Sequence, residues 1–194
     1  MEITNQFGVA QPLEAVWDFF GDVPQVAACL PGTELTTELG DDRFGGTVSI
    51  GLGPIKMDFD GGAEITHRDV EARTISVAAS GADRKGRGEA TLALDVSLAP
   101  AADGTTVDVA MDLQLSGPAA QYGRGLVSDI TAVLLNDFAA NVQNRLAAIA
   151  AGRDPDPLSQ AQAAGGVAIG VRAARMGLAR VLRRFALPYR PEAV

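Results

Sequence analysis

Histidine and cysteine are almost absent from this sequence, which has one of each among its 194 residues, His67 and Cys29. A single cysteine cannot form an internal disulfide bond, and the chain has no C-x-x-C or H-x-x-x-H spacing that could hold a metal ion. His67 falls in the strand-end segment ITHRD, where solvent exposure is expected and no catalytic triad can be assembled around it. Cys29 lies on an apolar helix face, which favours a buried core residue over a catalytic thiol. The sequence therefore indicates neither a metal site nor a catalytic residue.

Long apolar runs and export signals are absent as well. No 18 consecutive apolar residues occur, so a conventional membrane-spanning helix is not expected. The N-terminal segment MEITNQFGVAQP has neither a basic n-region nor an apolar h-region, so the expected compartment is the cytoplasm. Aromatic residues make up 5% of the chain but apolar residues 47%, a composition typical of a folded globular protein.

Charges of the two signs are divided unevenly along the chain, whose net charge is −8. Residues 1–149 contain 9 basic and 21 acidic residues, whereas residues 150–194 contain 7 basic and 3 acidic residues. An acidic body is repelled by nucleic acid and by anionic membranes, so nucleic acid is not an expected partner. The basic tail is therefore expected to make contacts that the body does not make.

Composition divides the chain into four parts. Residues 151–166 combine two Asp-Pro pairs with Ser, Gln and paired glycines, and they predict a flexible linker. The linker separates a domain at residues 1–150 from a predicted helix at residues 167–187. The proline-containing segment 188–194 is expected to fray.

The segment 167–187, VAIGVRAARMGLARVLRRFAL, contains five arginines and no acidic residue. On a helical wheel its apolar residues gather on one side and the arginines occupy roughly the opposite half, as in a basic amphipathic helix. Arginines near the centre of a bilayer cost at least about 2.5 kcal/mol each, so lying in the interface among anionic headgroups is favoured over spanning. Packing of the apolar arc on the body or on a partner helix is the alternative. The residues predicted to contact the membrane are Val171, Arg172, Arg175, Leu178, Arg180, Val181, Leu182, Arg183, Arg184 and Phe185.

Two segments show the two-residue alternation of half-buried strands. GRGEATLALDVSLAP places Leu92, Leu94, Val96 and Leu98 on one side, and TTVDVAMDLQLSG repeats the pattern. The Asp-Gly signal between them predicts a hairpin. RFGGTVSIGLG, PIKMDFDGGAEIT and ARTISVAAS predict three more strands, TELTTEL predicts a weaker one, and ITNQFGV predicts an opening strand. The sequence thus predicts about seven antiparallel strands with one apolar face.

Two glycine-containing stretches, GLGPIK and GADRKGRGEA, look superficially like phosphate loops. Both lie between strands and neither leads into a helix, so their amides lack the helix N-terminus that binds phosphate, and hairpin turns are expected. Asp58 and Asp60 share one face of a strand while Met57 and Phe59 occupy the other. The two carboxylates are therefore interpreted as the solvent side of the sheet rather than as an acid–base pair.

Three helices accompany the predicted strands. PLEAVWDFFGD and VPQVAACLPG predict two short helices after the first strand, and residues from about Ala119 to Ala150 predict a long amphipathic one. A single helix cannot fill the concave face of a curved antiparallel sheet, so the predicted α+β fold encloses an apolar cavity. Tyr122 is singled out because its hydroxyl could fix a polar headgroup. The candidate cavity residues are Phe44, Met57, Phe59, Met111, Leu113, Tyr122, Leu126, Ile130, Leu134 and Phe138.

The run PLEAVWDFFGDVPQVAACLPGTELT resembles the opening of the helix-grip superfamily, which includes the Bet v 1-like, START-like and SRPBCC domains. A closer similarity is to the carbon monoxide dehydrogenase G-subunit family, in which Pro and Val-Trp in the first helix precede a Leu-Pro-Gly or Ile-Pro-Gly turn. A second block, LQLSGPAAQYGRGLVSDITAVLLNDFAANV, is similar to that family's entry into its long helix. The resemblance covers roughly residues 1–150.

The resemblance implies a non-catalytic accessory protein of a molybdenum-containing carbon monoxide dehydrogenase or a related hydroxylase. Such a protein would hold that soluble enzyme at the inner face of the cytoplasmic membrane. Because the enzyme passes its electrons into the respiratory chain, the implied cavity ligand is a lipid-soluble quinone, menaquinone or ubiquinone, and no covalent cofactor is expected. Two alternatives stay open: a helix-grip enzyme of the aromatase or cyclase type, and a stand-alone lipid carrier.

Overall fold

The computed structural model describes residues 1–52 and 55–155, which include nearly all of the predicted domain at 1–150. Most of the predicted linker at 151–166, the predicted helix at 167–187 and the terminus at 188–194 lie outside the described residues. The elements run in the order β1 (Glu2–Val9), α1 (Leu13–Gly21), α2 (Val23–Cys29), β2 (Thr33–Gly40), β3 (Arg43–Leu52), β4 (Ile55–Asp69), β5 (Thr74–Asp83), β6 (Glu89–Ala101), β7 (Gly104–Leu115), a 3₁₀ helix (Gly117–Tyr122) and α3 (Gly123–Ala150).

Seven strands form one antiparallel sheet in the order β1-β7-β6-β5-β4-β3-β2. From β2 to β7 each strand pairs with the next one along the chain, and β1 closes the sheet beside β7. The two short helices connect the opposite edges, β1 and β2. The predicted α+β architecture of a curved sheet, two short helices and one long C-terminal helix is therefore confirmed.

A row of small residues crosses the sheet where neighbouring strands approach closely. Ala90, Gly81, Gly61 and Gly46 are successive register partners on β6, β5, β4 and β3. A Cβ atom on Gly61 would lie 2.0 Å from the carbonyl oxygen of Ser80. Glycine in the interior of a strand is typical of such close approach and of tight bends. This glycine row lets the middle strands curve.

The main core lies at one end of the sheet, between the strands and all three helices. Helix α1 begins after Pro12 and buries Val16, Trp17, Phe19 and Phe20. Helix α3 contributes Phe138, whose ring packs edge-on against the rings of Phe7 and Phe20, with centroids 6.0 and 6.3 Å away. We call the side of the sheet toward α3 the inner face and the opposite side the outer face.

Two element boundaries differ from the sequence-based expectation. Strand β4 continues through the polar HRD segment to Asp69, because a register shift between Ile65 and His67 keeps the strand paired with β5. Helix α3 begins at Gly123 instead of near Ala119, because the preceding residues form a 3₁₀ helix that starts at Gly117 with a φ of +66°.

Candidate ligand-binding face

The inner face changes from fully covered to partly covered along the strands. At one end Val96, Leu98, Val107, Val109 and Ile75 are buried beneath α1 and the C-terminal half of α3. Residues paired across neighbouring strands share a face, so the next rows of register partners also point toward α3. These rows mark the region where the helix no longer covers the sheet completely.

We define the apolar band as the two rows of inner-face residues next to the buried core. All of its members are apolar, and all except Phe44 are partly exposed although they face the helix side. A row of partly exposed aliphatic residues inside a fold is the kind of lining that binding sites for apolar ligands have. The first row is Ile3, Met111, Leu94, Val77 and Ile65, and the second is Leu113, Leu92, Ala79, Ala63 and Phe44.

Two small clusters border the apolar band on the side away from the main core. Ile130 and Val133 of α3 are buried together, with Ile50 of β3 and Leu134 packed against them. Met57 and Phe59 of β4 are buried in a second cluster that also contacts Ile50. The N-terminal half of α3 therefore packs against β3, and its C-terminal half packs against the main core. The middle strands between these two regions keep a partly uncovered apolar surface.

The structure distributes the predicted cavity residues among different environments. Met111 and Leu113 lie in the apolar band, together with the buried Phe44. Leu126 is 37% exposed near the start of α3, and Tyr122 ends the 3₁₀ helix. The remaining candidates are packed against other side chains. Met57 and Phe59 lie in their own cluster, Ile130 is buried with Val133 in a cluster that Leu134 packs against, and Phe138 lies in the main core.

Several residues of the apolar band were not among the cavity candidates. Leu92, Leu94 and Val77 occupy central positions in it, and Ile3 and Ile65 lie toward its edges. The alternation in β6 already placed Leu92 and Leu94 on the apolar side of a strand. What the alternation could not indicate is that α3 leaves this stretch partly open.

A buried ion pair stands beyond the glycine row, at the far end of the inner face. Asp83 is the register partner of Phe59, and its carboxylate accepts bonds from the Arg87 guanidinium at 2.8 Å through both Nε and Nη2. Backbone amides of Lys85, Arg87 and Asp58 also donate to it, at 3.0, 3.2 and 3.2 Å. The Arg87 guanidinium holds the pKa of the Asp83 carboxyl well below its usual range.

The Asp83–Arg87 pair also fastens the β5–β6 hairpin to its neighbour. Nη2 of Arg87 donates to the carbonyl oxygen of Lys56 on β4 at 2.7 Å. The expected hairpin turn in GADRKGRGEA is found at this place, between β5 and β6. Gly117, at the start of the 3₁₀ helix, lies against Gly88, because a Cβ atom on Gly117 would be 3.0 Å from the Cα atom of Gly88. The hairpin and the 3₁₀ helix therefore form one rim of the inner face.

Polar contacts join α2 and α3 at the opposite, closed end. The side-chain amide of Asn141 donates to the carbonyl oxygen of Cys29 at 2.9 Å, and the buried Arg145 donates to Gln25. Burial raises the pKa of the Cys29 thiol to about 11, although the nearby Arg145 acts in the opposite direction. Cys29 is therefore a protonated core residue at neutral pH, as its position on an apolar helix face predicted.

The outer face is polar and acidic. Asp58 and Asp60 form ion pairs there with Lys56 at 3.3 Å and with Arg84 at 2.7 Å, as expected for the solvent side of β4. A shallow depression of about 770 Å³ on this face contains Asp95 and Asp108, which accept bonds from Ser76 and Gln6, both at 2.6 Å. Most of its lining residues are polar, and the depression is open to solvent. The lining residues are Thr4, Asn5, Gln6, Thr74, Ser76, Asp95, Val96, Ser97, Asp108, Val109 and Ala110.

Candidate metal ligands do not cluster in the part of the chain that the structure describes. His67 is exposed on β4, in keeping with the prediction. Within residues 1–52 and 55–155, His, Cys, Asp and Glu side chains form no group of three that could hold a metal ion. In the same residues, no helix has both the length and the apolar composition that crossing a bilayer requires.

Comparisons with known proteins agree with this architecture. A family model for the G subunit of carbon monoxide dehydrogenase (CoxG) matches residues 6–147. No curated protein matches the chain in sequence. Among solved structures, a conserved protein from Geobacillus kaustophilus has a TM-score of 0.68 at 20% identity, over 76% of this chain and 95% of that protein.

Two further solved structures are similar at lower identity. A protein from Mycobacterium smegmatis has a TM-score of 0.55 at 16% identity, over 76% of this chain and 92% of that protein. The Zhui aromatase/cyclase from Streptomyces sp. R1128 has a TM-score of 0.53 at 14% identity, over 75% of this chain and 95% of that enzyme. At these identities the similarity shows a shared helix-grip fold.

Proposed function

Because the chain belongs to the carbon monoxide dehydrogenase G-subunit (CoxG) family, which is a family of accessory subunits, we propose that it is a non-catalytic quinone carrier. Its inner face would bind an isoprenoid quinone, menaquinone or ubiquinone. Its partner would be a molybdenum-containing carbon monoxide dehydrogenase or a related hydroxylase. The complex would assemble at the inner face of the cytoplasmic membrane, where the enzyme's electrons enter the quinone pool.

The observation that supports a carrier is the partly uncovered apolar band. Nine of its ten side chains are partly exposed although they face α3, and three of them, Ile65, Val77 and Leu94, also pack against the main core. Partly exposed apolar surface gathered in one place is typical of ligand-binding sites. A hydrocarbon chain that covers this surface would gain roughly 25 cal/mol for each Å² of apolar area removed from water. The band is thus suited to an apolar molecule that must be shielded from water.

Membrane recruitment is supported by the sequence of the tail. On a helical wheel the arginines of segment 167–187 fall opposite an apolar arc, and each arginine near an anionic surface contributes about 1 kcal/mol. The tail's origin is tied to the closed end of the domain, because Nη1 of Arg145 donates to the carbonyl oxygen of Pro155 at 3.5 Å. The described residues thus end beside the closed end of the domain.

Organic extraction of the purified full-length protein, followed by mass spectrometry, tests the carrier proposal. We expect a quinone in stoichiometric amount.

Ile130→Glu should abolish quinone retention, because Ile130 is 4% exposed and an unpaired carboxylate in an apolar site costs several kcal/mol. Ala132→Glu, on the exposed side of the same helix turn, is the matched control and should retain the ligand. Quinone retained equally in both variants contradicts the proposal. Leu126→Glu is a weaker test because Leu126 is more than a third exposed.

A helix-grip enzyme of the aromatase or cyclase type is the second candidate, and the fold shared with the Zhui aromatase/cyclase is the observation in its favour. A protein that carries no extracted ligand but turns over an aromatic precursor would support it. A bound lipid other than a quinone would instead support a stand-alone lipid carrier.

A further inference from the structure

We infer that the inner face selects its ligand by the hydrocarbon chain, and that the polar end of the ligand remains outside the apolar band at the rim formed by the β5–β6 hairpin. The inference rests on the proposed function only in taking the inner face as the binding site. It concerns which part of an amphiphilic ligand the protein recognises.

The apolar band consists entirely of apolar side chains. Its ten side chains are Leu, Ile, Val, Met, Ala and Phe, and none has a hydrogen-bond donor or acceptor stronger than a thioether. Quinone carbonyl oxygens would lose their bonds to water in such a lining and find no donor there, which is costly. An isoprenoid chain makes no hydrogen bonds to water, so it loses none when it binds in the same place.

Interior polar side chains near the band are already engaged, which is the second step. The Thr131 hydroxyl donates to the carbonyl oxygen of Val127 at 2.9 Å, and Asn141 is bonded to Cys29. Asp83 accepts bonds from the Arg87 guanidinium and from backbone amides. Among the side chains that the structure describes, which do not include Tyr122 or Arg124, no buried nitrogen or oxygen lacks a hydrogen-bond partner. The described buried polar side chains therefore offer no unsatisfied hydrogen-bonding group to a ligand headgroup.

The order of residues along β5 gives the ligand a direction, which is the third step. From the buried Ile75 the inner-face positions continue through Val77, Ala79 and Gly81 to Asp83. At about 3.3 Å per residue, Val77 and Asp83 are ~20 Å apart along the strand. The Ile75 end is closed by the helices, whereas the Asp83 end carries charge. An amphiphile on this face would point its chain toward Ile75 and its polar end toward Asp83.

The rim offers the polar surroundings that the band lacks. The Arg87 side chain is 28% exposed, and the turn around it contains exposed Arg84 and Lys85. A headgroup at this rim could interact with water and with cations. It would also remain accessible from outside the protein while the chain stays on the apolar band.

Competition binding with three probes tests this inference. The ligand-depleted full-length protein is offered a short-chain menaquinone, a prenyl alcohol with the same chain, and menadione, which has the quinone ring without the chain. Native mass spectrometry measures the bound fractions. We expect the prenyl alcohol to bind within about tenfold of the menaquinone and menadione to bind at least about 100-fold more weakly, because each buried methylene contributes about 0.8 kcal/mol.

The outcomes separate this inference from the proposed function. Tight binding of both quinones with no binding of the prenyl alcohol would overturn the inference and leave the quinone-carrier proposal standing. Failure of both chain-bearing probes to bind would contradict the carrier proposal itself and the inference with it.

A space-filling variant gives a second measurement that does not introduce a charge. Leu92→Trp places a larger apolar side chain in the apolar band and should weaken both chain-bearing probes by the same factor, about tenfold or more. Thr91→Trp, the adjacent exposed residue on the outer face, is the matched control and should bind both probes as the unchanged protein does. A Leu92→Trp variant that loses the menaquinone but keeps the prenyl alcohol would contradict selection by the chain.

Discussion

At the scale of single residues, Asp83 is the side chain whose environment is furthest from what its sequence context suggests. It opens the charged stretch DRKGR, yet its carboxylate is fully covered and bonded to Arg87 and to three backbone amides. Its lowered pKa means that the folded protein holds the ionised form more tightly than the unfolded chain does. The carboxylate therefore contributes stability above the unfolded pKa near 3.9, and this contribution is lost as the pH falls toward the folded pKa.

We expect Asp83→Asn to lower the melting temperature at pH 7, because the amide cannot replace an ionised partner of Arg87. The difference from the unchanged protein should shrink as the pH falls below about 4, where the unfolded carboxyl becomes protonated. Thermal unfolding across this pH range measures the effect. Asp103→Asn, at an exposed position in the β6–β7 turn, is the control for loss of one charge. A melting-temperature difference that does not change with pH would show that the ionisation of Asp83 is not the cause.

At the scale of elements, the glycine row shows how the sheet can curve around α3. The Gly61 Cα lies so close to β5 that a methyl group would overlap both the Ser80 carbonyl oxygen at 2.0 Å and the Gly81 Cα atom at 2.6 Å. Both obstacles are backbone atoms, which cannot rotate away as a flexible side chain can. The curvature of the sheet therefore depends on the absence of a side chain at this place.

Gly61→Ala should consequently destabilise the domain by about 2 kcal/mol or more, because the two strands must separate to accept the new methyl group. Denaturant unfolding followed by circular dichroism measures this loss. Gly8→Ala is the matched control in β1, where a Cβ atom would meet nothing within 4 Å, and it should leave the free energy of unfolding nearly unchanged. Equal stability of the two variants would contradict the role of close strand approach.

The basic segment 167–187 is a second element with its own prediction. Full-length protein should bind anionic liposomes in a salt-sensitive manner, and deletion of residues 167–194 should abolish this binding. Phe185→Glu should weaken it, because a charge would enter the apolar arc. Co-sedimentation at low and high salt measures binding. If organic extraction of the shortened protein still yields the ligand, the domain is intact. Equal sedimentation of the full-length and shortened proteins would show that the tail is not the anchor.

At the scale of the whole molecule, the distribution of charge separates two kinds of contact. Residues 1–149 carry 21 acidic and 9 basic residues, so the domain is repelled by the anionic surface that would attract the tail. In the proposed function, the acidic outer face would remain available to a protein partner while the tail binds lipid. Membership in the CoxG family makes a carbon monoxide dehydrogenase the expected partner.

An affinity-tagged full-length chain should therefore co-purify with such an enzyme at low salt, from cells that express both. The association should weaken as salt rises, because charge complementarity at exposed surfaces is screened. Protein identification in the eluate measures it, and the same tag on an unrelated acidic protein is the control. Absence of the enzyme from the low-salt eluate would count against the adaptor role.

The sequence by itself determined the elements, their order and the family. Alternation of apolar and polar residues is a local property with a period of two, so β6 and β7 could be recognised from LALDVSL and VDVAMDLQL alone. Proline and glycine marked the short helices, and the two blocks around Trp17 and Leu126 carried the resemblance that the family match confirms.

Only the tertiary structure decided which apolar residues are packed and which are partly open. Periodicity states which face of an element a side chain occupies, but coverage of that face depends on where α3 crosses the sheet. Phe138 therefore lies in the closed core between Phe7 and Phe20, whereas Leu92 and Leu94 are partly exposed in the apolar band. Asp83 is covered for a related reason, because besides its local partners Lys85 and Arg87 it accepts a bond from the Asp58 amide on β4, 25 residues away in the chain.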